Sequence, residues 1–507
     1  MSEHLIELEE AQNNLLDCAA FLAENIRSRN GYGEAMREIV PRYLQKNAVD
    51  LAAQLADAVE DPFVRDRLLI ETAAKCAEIG DDEYALQLVE SIEEDGLHAQ
   101  ARRRIALEKS ERNDFARAFE IAATLDHSDD VLAAIAAHQA AQSGGDAENN
   151  MTAALQTVDK IDFADAKVVA LQNVALVCLK RGDAEKACEL LERAAQAADE
   201  IEFPEEKIRA LSETANYFIE AGRADFAIET FDRAKTLAET IDRRDSRRDF
   251  FLAEIAAGFA RAGSLELADR ALDAATDKTQ ISSALLHFAQ IFWEKGERSE
   301  ALEAVEESYQ ILKSQRDGET RDSRARFALL AAIAAQFARF EKAERAVEIA
   351  QSIPIETEQP SVLAQIAQIC AAQEKDDLAR LAVNAIKDEA QKMSALIDVS
   401  DQKKRDGKTA ESLKILTEAA SLAETVPQFS VRAQVFGELA RRFFEADAAD
   451  KARDLALESL RTIGEIRDET TRAVALAQLS DVHEAANFQL SDAEKAILQT
   501  MIRRAER

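Results

Sequence analysis

Apolar positions recur along this chain in a pattern that returns every 30 to 45 residues. Two consecutive copies are Leu252, Ile255, Ala256, Phe259, Gly263 and Ala268, and then Leu285, Phe288, Ala289, Phe292, Gly296 and Ala301. Offsets of three, four and seven residues place the first four positions of each copy on one face of a helix. A period of this length is typical of helix pairs that stack on their neighbours, and it argues against a globular enzyme domain.

Each copy contains one residue that we interpret as the turn between two helices, most often a residue that suits a left-handed backbone. The thirteen predicted turn residues are Asn47, Gly80, Asn113, Ser143, Gly182, Gly222, Gly263, Gly296, Glu341, Glu374, Gly407, Asp447 and Asn487. Alanine stands seven residues before ten of these turns, where a small side chain lets the paired helices approach closely. Where the step between turns is 40 or 41 residues instead of 33, we expect a second helix longer by about two turns.

This arrangement resembles the tetratricopeptide repeat (TPR), whose signature W-x2-L-G-x2-Y…A-x3-F…P has the same offsets. Here leucine replaces the tryptophan, alanine replaces the first glycine, and phenylalanine or cysteine often replaces the tyrosine. The resemblance covers residues 33–507, and residues 1–32 are predicted to form an N-terminal capping helix. It implies an all-α fold, a right-handed superhelical α-solenoid of about thirteen TPR-like antiparallel helix pairs.

Composition and charge narrow the classes of partner. A net charge of −33 argues against nucleic acid or an anionic membrane surface. The longest purely apolar run, Phe327–Ala335, is too short to cross a bilayer. Five widely spaced cysteines without a CxxC motif fit a reducing compartment, so we expect a cytoplasmic protein.

No catalytic or metal-binding pattern is present in the sequence. It lacks a P-loop, an HExxH motif and a glycine-rich dinucleotide fingerprint. Cys76, Cys178 and Cys370 each lie four residues before a turn, so we interpret them as core residues. The same column holds Phe218, Phe259, Phe292 and Phe337. We therefore expect a protein without enzymatic activity, bound metal or cofactor.

The resemblance implies a concave groove lined by the first helices, which in this family commonly holds a peptide. The groove-facing columns should lie three, six and ten residues before each turn. They give as candidate binding residues Asn216, Ile219, Leu286, Gln290, Trp293, Ala335 and Gln368. Trp293 is the only tryptophan, and it is interpreted either as a binding hot spot or as packing between repeats.

Several stretches depart from the pattern, and one of them, Ser143–Asn150, is predicted to be a loop inserted at a turn. Two basic clusters interrupt the apolar columns, and they consist of Arg102, Arg103 and Arg104, and of Lys403, Lys404 and Arg405. Each is either the solvated face of a degenerate repeat or a docking patch for an acidic partner. The polar segment 313–324 is a candidate hinge.

These observations favour a non-enzymatic scaffold or adaptor that binds a peptide or protein segment in the concave groove. A second hypothesis is a ligand- or peptide-gated regulatory sensor whose solenoid changes curvature on binding.

Overall fold

The computed structural model describes residues 4–142, 147–314, 323–354 and 358–505. In these ranges the chain forms α-helices and one short 3-10 turn, Ala198–Glu200, without a β-strand. The first half contains α1 (Leu8–Asn13), α2 (Leu15–Glu24), α3 (Arg29–Gln45), α4 (Val49–Asp57), α5 (Pro62–Ile79), α6 (Asp82–Glu90), α7 (Asp95–Glu111), α8 (Phe115–Ala122), α9 (Asp129–Ala141), α10 (Ala147–Val158), α11 (Ala164–Lys180), α12 (Ala184–Ala197), α13 (Pro204–Glu220) and α14 (Ala224–Thr240). The second half contains α15 (Ser246–Arg261), α16 (Leu265–Asp273), α17 (Lys278–Glu294), α18 (Arg298–Ser314), α19 (Ser323–Arg339), α20 (Ala343–Gln351), α21 (Gln359–Ala372), α22 (Asp376–Ala385), α23 (Glu389–Arg405), α24 (Thr409–Ala423), α25 (Phe429–Glu445), α26 (Ala449–Glu465), α27 (Glu469–Ala485) and α28 (Asp492–Ala505).

The predicted turn residues separate the helices as expected, from α3 and α4 to α27 and α28. Twelve of the thirteen have a positive φ, between 49° at Asn487 and 92° at Gly80, and no other described residue does. The thirteenth, Ser143, lies outside the described residues. The all-α solenoid of TPR-like pairs is confirmed, and the hand of its superhelix stays a prediction.

The alanine column seven residues before the turn forms the contact within each pair. All ten of these alanines are fully buried, and they are Ala73, Ala106, Ala136, Ala175, Ala215, Ala256, Ala289, Ala334, Ala367 and Ala440. Cys76, Cys178 and Cys370 are buried as well, with free thiols. The column is small because the two helices of a pair leave no room there for a longer side chain.

The unit lengths also follow the prediction. Second helices in units with a 33-residue step, such as α6 and α16, have nine residues. In the longer units α14 and α26 have seventeen. The additional residues therefore lengthen the second helix, while most first helices keep about seventeen.

The chain divides into two compact units. Unit 1 combines Met1–Ala101 with Gln359–Arg507, and unit 2 is Arg102–Glu358. The predicted boundary after residue 32 stays a prediction. Most of the predicted hinge, residues 315–322, lies outside the described residues.

The N-terminal segment forms two helices instead of one. Asn14 adopts an extended backbone between them, and its side chain accepts hydrogen bonds from the amides of Leu16 (2.8 Å) and Asp17 (3.1 Å). An asparagine in this position caps the start of a helix and ends the preceding one. The second helix, α2, is buried along almost its whole length.

In unit 1 the two ends of the chain build one helix pair together. Helix α2 packs on α27 as second helices pack on first helices elsewhere. It begins at Leu15, beside Ser480 and Asn487 near the end of α27. After α2 the chain returns to the start of α27, where Gly31 lies against Thr470. Helix α2 therefore runs antiparallel to α27 and completes the last repeat from the opposite end of the sequence.

Helix α28 takes a different place from the second helices before it. It begins five residues after the turn at Asn487, whereas α6 begins two residues after Gly80. It packs on α26, α2 and α1. One signal was present in the sequence, because Asp492 stands where most repeats have an alanine five residues after the turn.

Candidate functional site

The predicted groove residues of unit 2 lie on the exposed side of the first helices, where most are half-buried. Asn216 and Ile219 lie on α13, and the Asn216 side-chain oxygen accepts a hydrogen bond from Arg261 on α15 (2.7 Å). Leu286 on α17 is half-buried too. Ala335 on α19 is only 3% exposed.

Trp293 at the end of α17 is held by neighbouring side chains. Its ring stacks on Phe340, with 4.1 Å between ring centroids and 12° between planes. The guanidinium of Arg298 lies 3.6 Å from the indole centroid. Phe340 is buried and follows α19, so the stack joins consecutive repeats. This geometry favours the packing alternative for Trp293.

A short chain of amide hydrogen bonds runs beside this stack. Gln336 donates to Gln290 (2.6 Å), and Gln290 donates to Glu294 (2.7 Å). Arg339 donates to Gln336 (3.1 Å). The polar side chains of this face are therefore engaged with one another.

The remaining candidate, Gln368, lies half-buried on α21 of unit 1.

The first basic cluster is partly engaged on α7. Arg103 donates to the carbonyl of His127 (2.8 Å) and lies 3.6 Å from the Asp130 carboxylate. Arg102 is half-buried, and Arg104 is exposed.

The second basic cluster is not uniformly exposed. Lys403 is 2% exposed and pairs with Asp376, because it occupies the column four before the turn in which other repeats place phenylalanine or cysteine. Lys404 pairs with Glu445 (3.1 Å), and Arg405 donates to Gln402 (2.7 Å). Lys403 thus presents no ammonium group at the surface.

The first helices of unit 1 form a groove that the sequence analysis did not single out. It lies between α23, α25 and α27, with Arg42 of α3 at its border, and has a volume of about 380 Å³. We call it the first-helix groove. Its lining includes the small and apolar residues Ser394, Ile397, Ala433, Gly437, Ala475 and Leu479. Ile397 and Gly437 stand ten residues before their turns, in one of the predicted groove columns.

Gly437 is a buried residue in the lining of this groove. A Cβ atom at this position would lie 3.6 Å from the Ser459 oxygen and 3.8 Å from a methyl carbon of Leu479, which are ordinary contact distances. Alanine would fit, and glycine inside a helix costs about 1 kcal/mol relative to alanine. Packing therefore does not demand this glycine.

Charged side chains border the groove in pairs. Arg441 lies 3.0 Å from Glu438, and Arg42 lies 2.9 Å from Asp481. Although burial opposes its charge, hydrogen bonds to Asp481 and Glu38 raise the pKa of Arg42 above its ordinary value. The pairs balance in charge, so the groove presents an apolar floor between hydrogen-bonding borders. Such a surface can receive an apolar side chain from a polar segment.

Two other functional features, a metal site and a membrane-spanning helix, are absent from the described residues. Within the described ranges no three His, Cys, Asp or Glu side chains are grouped so as to hold a metal ion. In the same ranges every helix is too short or too polar to cross a membrane.

The helix pairs and their turn columns define an all-α repeat protein, a TPR-like helical solenoid. Residues 167–240, which include most of α11 and all of α12 to α14, match the family model described as Tetratricopeptide repeat. No curated protein sequence matches the chain.

Several solved structures resemble the chain at low sequence identity. Ton1535 from Thermococcus onnurineus NA1 is 16% identical with a TM-score of 0.25, covering 81% of this chain and 98% of that one. Yeast Tom70 is 16% identical with a TM-score of 0.26, covering 90% and 97%. A Rap protein complexed with Competence and Sporulation Factor is 12% identical with a TM-score of 0.25, covering 78% and 97%. At these TM-scores nothing about function follows from the likeness.

Proposed function

We propose that this protein is a non-enzymatic scaffold that binds a peptide or protein segment on the first-helix face of its repeats. The observation that carries the proposal is the first-helix groove of unit 1, a cleft of about 380 Å³ in the columns expected to face a ligand. The segment inserts one apolar side chain over Gly437, and its polar atoms meet the ion pairs at the border. An anchor in a pocket with a polar surround is the usual form of a binding hot spot.

The first-helix face of unit 2 has a secondary part in this proposal. Its candidates are Asn216, Ile219, Leu286, Gln290, Trp293 and Ala335, together with Gln368 of unit 1. Since the Trp293 ring already stacks on Phe340, a ligand gains less from it than from an open groove. We therefore assign the principal contact to unit 1.

The proposed partner is a protein or peptide, and the proposed location is the cytoplasm. A net charge of −33 opposes binding to nucleic acid and to anionic lipid. No catalytic step, metal or cofactor enters the proposal.

Selection of peptides from a random display library on the full-length protein tests this function. The selected peptides are then titrated against wild type and Gly437→Leu, whose added side chain fills the groove. The control is Ser421→Leu, which adds a similar side chain to an exposed position of the second helix α24. Circular dichroism establishes that the three proteins are equally helical.

We expect Gly437→Leu to raise the Kd at least about tenfold, which corresponds to about 1.4 kcal/mol. Ser421→Leu should leave the Kd unchanged. Unchanged affinity in Gly437→Leu, with an intact fold, would overturn the proposal.

A further inference from the structure

Unit 1 has a second groove, separate from the first-helix groove. It lies between α26, α28 and the start of α25. Its volume is about 510 Å³. Three of its lining residues are arginines, Arg432, Arg461 and Arg504, and its one carboxylate is Glu465. We call it the arginine groove.

The position of α28 explains why this groove exists. Because α2 pairs with α27, α28 instead packs on α26 and leaves a cleft beside it. The floor of the cleft contains Gly464, Ile497 and Met501. A Cβ atom at Gly464 would lie 3.7 Å from Ile497. Gly464 and Met501 are themselves buried, so the half-buried Ile497 supplies the accessible apolar surface of the floor.

The three arginines present their guanidinium groups around this floor. Arg504 donates one hydrogen bond to the Gly464 carbonyl (3.0 Å), which fixes its position and leaves other N–H groups of its fork for a ligand. The Arg461 side chain is 55% exposed and pairs with the neighbouring Glu458. The Arg432 guanidinium lies 4.9 Å from the ring of Phe429, which restricts its orientation.

A fourth arginine, Arg472, lies close to Arg504 outside the lining of the groove. Arg472 is buried and donates two hydrogen bonds to the carbonyl of Ile466, at 2.9 and 2.5 Å. Burial lowers the pKa of Arg472, and the charge of Arg504 adds to this effect, whereas the charges of Glu469 and Asp468 oppose it. Four arginines thus lie at this edge of a chain whose net charge is −33, together with the carboxylates of Glu458, Glu465 and Glu469.

We propose that the arginine groove binds an acidic segment of a partner protein. An apolar side chain of the segment packs on Ile497 beside Gly464, and carboxylates on either side pair with the arginines. Arginine suits this task because its planar fork binds a carboxylate through two hydrogen bonds. Charge complementarity selects the occupant, since basic segments are drawn to the acidic remainder of the protein. This site is independent of the first-helix groove.

The test uses a short fluorescein-labelled peptide, Glu-Asp-Leu-Glu-Leu-Asp-Glu, and its counterpart with lysine at every acidic position. Binding to the full-length protein is followed by fluorescence anisotropy at about 0.05 M and about 0.3 M salt. The first variant is Arg461→Glu, which reverses one charge of the groove. The second is Thr500→Glu, which adds a negative charge at an exposed position of α28. The matched control is Arg270→Glu in unit 2, an exposed arginine that also has one glutamate partner on its own helix.

We expect each groove variant to weaken binding of the acidic peptide about tenfold at low salt, with a smaller difference at high salt. Arg270→Glu and Gly437→Leu should leave this binding unchanged. Equal loss in Arg461→Glu and Arg270→Glu, or no binding up to about 1 mM, would overturn the proposal. A change of oligomeric state in Arg461→Glu, seen by sedimentation, would overturn it too by assigning the groove to a second copy of the chain.

Discussion

A glycine stands inside a first helix of each unit, and the two have different surroundings. A Cβ atom at Gly258 of unit 2 would lie 2.3 Å from the buried ring of Phe231. At Gly437 of unit 1 the nearest atom would be 3.6 Å away. Gly258 is therefore required by the core, whereas Gly437 is required only if the surface above it must stay open. The comparison separates a glycine that serves the fold from one that serves a groove.

The first-helix faces differ in the same sense. In unit 2 the stack of Trp293 on Phe340 and the bond between Gln290 and Gln336 occupy the face. In unit 1 ion pairs stand at the border of an unfilled cleft. Equivalent columns of one repeat thus serve packing in one unit and remain available to a partner in the other.

The largest expected effect on stability concerns the helix pair that α2 and α27 form in unit 1. Unit 2 is continuous in sequence, whereas unit 1 relies on α2, in which Leu16 is fully buried. Leu16→Asp places a carboxylate in this core and should destabilise unit 1 by about 4 kcal/mol or more. Hydrogen exchange should accelerate in α27 and remain unchanged in α13. Exposed Asn13→Asp is the control, and retained protection of α27 in Leu16→Asp would contradict the composite pair.

A buried carboxylate gives the next largest effect, in unit 2. Asp249 accepts hydrogen bonds from the amides of Thr276 and Asp277, both at 2.7 Å, and pairs with Arg248 at 3.0 Å. Asp249→Asn leaves Arg248 buried without a counter-ion, so we expect a loss of about 3 kcal/mol in unfolding free energy. Exposed Asp269→Asn should have almost no effect. Equal denaturation midpoints for the two variants would show that the buried pair does not stabilise unit 2.

The same residue makes the stability of unit 2 dependent on pH. Burial opposes its charge, but the hydrogen bonds from Thr276 and Asp277 and the charge of Arg248 outweigh this and lower the pKa of Asp249. A lowered pKa in the folded state means that the stabilisation is complete above about pH 3.9 and is lost as the pH falls below it. Asp249→Asn should show a shallower decline in this range. If the stability of wild type and of Asp249→Asn declined identically as the pH falls, this assignment would be contradicted.

Gly258→Ala should have a smaller effect of the same sign. The added methyl group meets the Phe231 ring, which packs on Phe259 with 5.7 Å between centroids. Overpacking of this kind costs about 1 to 3 kcal/mol, which chemical denaturation resolves. A gain in stability would mean that the ring moves aside without cost.

Gly437→Ala should have the smallest effect and the opposite sign. Its methyl group fits at ordinary contact distance, so the protein should gain about 0.5 to 1 kcal/mol. Denaturation midpoints of the two alanine variants then move in opposite directions. Destabilisation by Gly437→Ala would remove the distinction between the two glycines.

The repeat architecture was predictable because its determinants are local. A residue at positive φ and an alanine seven positions before it recur at fixed spacing, and both follow from the geometry of one helix pair. Pairing of α2 with α27 was not predictable in this way, because its partners stand at opposite ends of the chain. Only Asp492, in place of the usual alanine, indicated that the last repeat differs.

The sequence indicated which positions within a repeat line the candidate site, but not which repeats form it. Outward columns are not constrained by the core, so the sequence pattern does not distinguish Trp293, which is stacked, from Gly437, which borders a cleft. Lys403 is a different case. Its position four residues before the turn indicates a core residue, whereas its charge suggested a surface patch, and the side chain is buried. Position within the repeat was in that case the better guide.

The most direct test of the account is hydrogen exchange of the full-length protein with and without a display-selected peptide. The account predicts slower exchange in α23, α25 and α27, which line the first-helix groove. Slower exchange confined to α17 and α19, around Trp293 and Phe340, would contradict the assignment of the principal contact to unit 1.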